Sequence, residues 1–155
     1  MLQMWQNSLI DDAHAHYPDP SDQLVTNAIR AWFRPHCDAV RGKQNWQDLL
    51  CDTGSTRDGL RVFESLMSEW VRTAGRQLDV RCRCSQKLAG DEVSLLQAIA
   101  CFQTHDALAA NKLLRTCFAA TCIDRLSSIA HGFAMTLTDT GVIVRHRTRH
   151  ATYFH

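Results

Sequence analysis

Cys82 and Cys84, two residues apart, are the pair in this chain that comes nearest to chemistry. A zinc site needs four ligands, commonly as Cys-x-x-Cys knuckles or as a Cys/His pair at a helical offset. The second pair is missing here. Cys101, His105, Cys117, Cys122 and His131 follow no finger or ribbon spacing. The two thiols are therefore expected as small side chains on the inner face of a strand, with no metal. The Cys-x-x-Cys arrangement at a helix start, which depresses a thiol pKa, is absent.

Asp11, His14 and His16 form Asp-x-x-His-x-His, the type of pattern that binds metal in some large barrel hydrolases. Residues two apart diverge on a helix, and such a barrel takes about 250 residues. This chain has 155, so a polar helix end is the expectation. His36 and Cys37 are adjacent and do not face one another on a helix. There is no glycine-rich phosphate loop, Gly-x-Ser-x-Gly, His-Glu-x-x-His or calcium loop. No catalytic residue, metal ligand or cofactor is nominated.

Arginine remains. Leu78, Val80, Cys82 and Cys84 alternate with Asp79, Arg81 and Arg83, and Val142, Val144 and His146 alternate with Ile143, Arg145 and Arg147. Both are strand periods. A lone strand leaves its backbone unpaired, so each is expected to pair with the other. One face would then collect Arg81, Arg83, Arg145, Arg147 and, near the end of the chain, Arg149. Like charges placed side by side favour an anionic partner, either an acidic protein surface or a nucleic-acid backbone. A solvated outer face is the plainer alternative.

Hydrophobic spacing sets the elements that carry these residues. Ile123, Leu126, Ala130, Phe133 and Leu137 share a face of a helix expected to start at Thr121 and stop at Gly141. Leu60, Phe63, Met67, Trp70 and Ala74 share another, begun by Ser55 and Asp58 and ended by Gly75. Those aromatic and methionine positions fit plain core better than a ligand cavity. Asp91 and Glu92 suit a helix N-terminus ahead of Val93, Leu95, Leu96, Ile99, Ala100 and Phe102, a stripe broad enough for burial on most sides. Asp106 is expected to cap a short helix through Leu108, Leu113, Leu114 and Cys117. Ser21 is expected to cap one through Leu24, Val25, Ala28, Ile29, Trp32 and Phe33, ended by Pro35. Shorter helices are expected around Trp46, Leu49 and Leu50, and around Leu2, Trp5, Leu9 and Ala13.

The expected fold is thus all-α, a compact bundle of about five to six helices with a small two-stranded β element, residues 78–84 with 142–146. One domain should cover 1–148, with 149–155 a basic tail open to disorder. A chain of 155 residues can bury roughly two-thirds of its unfolded surface. Its 45% apolar and 21% charged composition is ordinary for a soluble protein. A net charge of +1 excludes a generally electrostatic mode of action and confines any such function to a patch. Seven scattered cysteines argue for a reducing cytosol over a disulfide framework. No leader or membrane span is read.

The functional expectation is a non-catalytic helical protein-interaction or regulatory module. A nucleic-acid-binding regulator is the alternative, and a small-molecule- or metal-binding helical protein the second. In the helix after Asp106, Asn111, Lys112 and Arg115 are thin material for reading bases. A protein partner is expected, nucleic acid and self-association stay open, and no membrane is expected. Trp5, Trp32, Trp46 and Trp70 raise self-association, because large aromatics favour interfaces.

Overall fold

The computed structural model describes residues 19–36, 44–117 and 123–146. The expected helix through Trp5, the basic tail, and Thr121 lie outside them. Six helices occur among the described residues: α1 Pro20–Phe33, α2 Trp46–Asp52, α3 Arg57–Ala74, α4 Gly90–Gln103, α5 Ala107–Cys117 and α6 Asp124–Asp139. α4 is the hub, packing on α5 and α6, while α3 lies on α6 and α1 on α2.

α4 is central because its sequence leaves it no polar face. Every residue from Leu95 to Phe102 is buried, Gln97 included. An all-round apolar helix is stable only inside. α3 is the opposite case, with Phe63, Leu66, Met67 and Trp70 buried on one stripe and charged residues elsewhere. Its aromatic positions are core, as their spacing implies. Phe63 meets Phe133 of α6 and Trp46 of α2, each with ring centroids 5.3 Å apart, and Trp70 meets Phe33 of α1 edge-on at 5.7 Å. Complete burial of a ring, as at Phe63 and Phe133, contributes roughly 1.5–3 kcal/mol.

The helix ends show which side chains win. Asn45 caps α2 by accepting from the Asp48 amide, and Asp106 caps α5 by accepting from that of Ala109. Thr56, not Ser55, caps α3, and Asp19, not Ser21, occupies the N-cap position of α1. Pro20 explains the second shift, since its fixed φ and missing amide proton suit the first helical position. α6 starts at Asp124, with Ile123 at its N-cap. α4 and α6 both end in the doubly bonded left-handed turn. Asp106 donates to the Cys101 carbonyl and His105 to Phe102, while Val142 donates to Leu137 and Gly141 to Thr138. Gly141 takes the left-handed position at φ +80°, whereas in α4 it falls to His105 at φ +61°.

The expected two-stranded element is not formed. Residues 78–84 and 142–146 are extended or turned, and no strand occurs among the described residues. The requirement that their backbone groups be satisfied still holds. Side chains take part of that role in place of a partner strand: Asp91 and Arg34 at Asp79 and Val80, and Gln97, Gln103 and Asp22 along 142–145.

Candidate anion-binding arginines and the segments that carry them

Arg81 and Arg83 lie in the connection from α3 to α4. Leu78, Val80, Leu88 and Ala89 are buried there, so the inward half of the expected alternation holds as far as Val80. It then fails, because Cys82 is half-buried and Cys84 exposed rather than both facing inward. A turn over 83 and 84 breaks the period.

What fixes this connection is a buried ion pair. Arg30 of α1 donates through Nε and Nη2 to the two oxygens of Glu92 at 2.8 and 3.0 Å. Two further donors reach the carbonyls of Ser85 at 2.7 Å and Lys87 at 3.1 Å. Glu92 also accepts from the Ala89 amide at 2.8 Å, tying down the start of α4. Both charged side chains are at most 2% exposed. Burial on that scale is tolerable only because guanidinium and carboxylate are bidentately paired and further hydrogen-bonded.

Three further groups complete the clamp. Arg34 donates to the Val80 carbonyl at 3.0 Å, and Arg76 pairs bidentately with Asp91 at 2.8 and 3.0 Å. Asp91 accepts from the Asp79 amide as well, at 2.7 Å. The Arg76 guanidinium and that amide hold the Asp91 carboxyl below its usual pKa, against a weaker opposing push from burial. On this fixed connection Arg81 is exposed and Arg83 half-exposed, and neither forms an ion pair with any described residue.

Arg145 sits elsewhere. Its guanidinium donates to Asp19 at 2.9 Å, its amide to the buried Asp22 at 2.9 Å, and its carbonyl accepts from Gln97 at 3.1 Å. Asp22 precedes Arg30 by two turns of α1, an axial rise of about 12 Å. The connection bearing Arg81 and Arg83 is gripped from the end of α1, and the segment bearing Arg145 from its start. The strand pairing expected to bring them into one face is therefore absent among the described residues. Arg147 and Arg149 lie outside those residues.

Two clusters appear that residue spacing alone does not reveal. Glu69 of α3, 6% exposed, pairs bidentately with Arg72, accepts from Thr73, and has Arg125 of α6 at 3.5 Å. The Arg72 hydrogen bond chiefly, with both guanidinium charges, lowers its pKa against the opposing effect of burial. Glu64, Ser65 and Ser68 extend this cluster into an open groove of about 510 Å³. The Glu69–Arg72 half was legible at a spacing of three, but Arg125 comes from another helix. In the second cluster the Cys101 thiol lies 3.5 Å from Nε2 of His146. Burial, and then the charge of Asp106, push the Cys101 thiol pKa up. That holds it protonated, the reverse of an activated nucleophile.

Cys37, Asp11, His14 and His16 lie outside the described residues. Among those described, no group of three or more His, Cys, Asp or Glu side chains is placed to hold a metal, and no helix is long and apolar enough to cross a membrane. Compared with protein-family models, curated proteins and solved structures, the chain matches none.

Proposed function

We propose that the protein is a small helical interaction module, without chemistry of its own, that engages an acidic partner through Arg81 and Arg83. One observation supports this reading. A connection with no secondary structure is held by a buried ion pair and two more arginine clamps, yet it presents two arginines without ion-pair partners among the described residues. Binding residues are commonly carried on loops that a rigid scaffold positions. A fixed backbone also lowers the ordering cost of each contact. Arg145, already neutralised by Asp19, is a secondary contributor.

The test is binding of a fluorescent polyglutamate peptide at low and high salt. The wild type should bind, more weakly as salt rises, and Arg81→Ala/Arg83→Ala should abolish binding. The Arg72→Ala variant, whose guanidinium serves Glu69, should bind as the wild type does. Binding that survives loss of Arg81 and Arg83 would remove the proposal. Duplex DNA measured in parallel identifies the nucleic-acid alternative if it binds more tightly, with a steeper salt dependence.

A further inference from the structure

Residues 142–146 are held as a receptor holds an extended peptide. Gln103 of α4 uses both ends of its side-chain amide on one stretch of backbone, accepting from the Val144 amide at 2.8 Å and donating to the Val142 carbonyl at 2.8 Å. Gln97 and Asp22 do the same for Arg145, at its carbonyl and its amide. Val144 is buried between these grips at 2% exposure, while Ile143 points outward, 52% exposed. Asp19 takes the Arg145 guanidinium. Every one of these contacts joins the segment to α1 or α4. None involves α6, the helix from which the segment emerges. The link to α6 is the turn at Gly141, with its bonds from Gly141 to Thr138 and from Val142 to Leu137.

We infer that this groove is an interaction surface for a second copy of the chain, whose own residues 142–146 take the place of the first copy's by exchange. The occupant follows from the groove's present content. An identical segment from another copy remakes the contacts to Asp19, Asp22, Gln97 and Gln103, so the closed and exchanged forms differ chiefly in the two hinge bonds and in chain entropy. The hinge is a single left-handed residue, Gly141 at φ +80°, a conformation that a β-branched side chain strongly disfavours. A copy unable to make that turn loses the closed form and keeps the exchanged one.

The test combines Gly141→Val in the full chain with light scattering across a concentration series. The midpoint for dimerisation should fall by about tenfold or more relative to wild type, from the left-handed penalty alone. A His146→Cys substitution with a short thiol-to-thiol cross-linker then reports where the segment sits, because the far ring nitrogen of His146 lies 3.5 Å from the Cys101 sulfur and the shorter cysteine leaves a gap that the linker spans. With the native hinge, cross-linking should give a bridge within one chain. In the Gly141→Val dimer it should give a covalent dimer on a non-reducing gel, lost when Cys101→Ser is added. A Gly141→Val protein that stays monomeric throughout overturns the inference. So does a dimer whose bridge to Cys101 forms only within each chain, since its interface then lies elsewhere.

Discussion

The connection over residues 76–89 and the segment over 142–146 look alike in sequence, and the fold treats them alike in one respect only. Both contain an apolar–polar alternation that reads as a strand, over 78–84 and 142–146, neither forms one, and both have side chains bonded to parts of their backbone. They differ in the chemistry of the grip. Charged donors hold the connection: Arg30, Arg34 and Arg76, balanced by Glu92 and Asp91. The backbone of the segment is held mainly by the neutral amides of Gln97 and Gln103, with Asp22 as the one carboxylate on it and Asp19 on the Arg145 side chain. A bond from a fully desolvated charge leaves a large penalty behind when its partner is lost, whereas a lost amide bond leaves a small one. The connection should therefore be the more fixed of the two and the segment the more readily released.

That contrast can be broken most severely at Glu92. The Glu92→Ala variant strands the Arg30 guanidinium in the core and should cost about 3–5 kcal/mol in denaturant unfolding. The paired change Arg30→Met/Glu92→Leu should cost far less. If the single and paired changes cost the same, the penalty is not one of a stranded charge. Next is Gln103→Leu, which removes both amide bonds and should cost about 1–3 kcal/mol. Hydrogen exchange at the Val144 amide should accelerate, with the amides of 76–89 unaffected.

Acid offers a smaller and directional test. The folded Asp91 carboxyl lies below its ordinary value of 3.8, so it contributes stability that is complete above that value. The contribution declines as pH falls from there through the lowered folded pKa. Asp91→Asn should flatten the acid limb of the stability curve and leave neutral stability lower by under about 1 kcal/mol, the pair with Arg76 being partly solvated. Glu69 adds to the same limb with the same sign, so Asp91→Asn should not abolish it. The smallest effect is expected at Arg145→Ala, which breaks the exposed pair with Asp19. Its cost should be no more than about 1 kcal/mol and should vanish in high salt.

Much of this was readable from the chain. The stripes through Phe63 and Trp70, and through Leu126 and Phe133, predicted helices that the fold contains. The density of apolar residues after Glu92 predicted a helix buried nearly all round. The strand expectation failed for an instructive reason. Alternation at Val142 and Val144 reports an extended backbone with one side buried, and says nothing about what bonds to that backbone. The partners are Gln97, Gln103 and Asp22, residues whose ordinary place is the surface. Gln97, set within the apolar run from Leu95 to Phe102, is a signal that could have pointed to them, though only the structure shows it buried. The arginine cluster was legible only as a list of cations, and the fold alone showed that Arg145 is neutralised by Asp19 at the opposite end of α1 from Arg81 and Arg83.

By itself, the sequence determined the helices, their buried stripes and most of their ends, because periodicity and capping act between residues a few positions apart. Tertiary structure alone decided that Arg30 meets Glu92, that Arg125 joins Glu69, and that residues 142–146 lie against α4. Those contacts join residues far apart in the chain, and which of many polar groups become partners is settled only when packing removes water from around them.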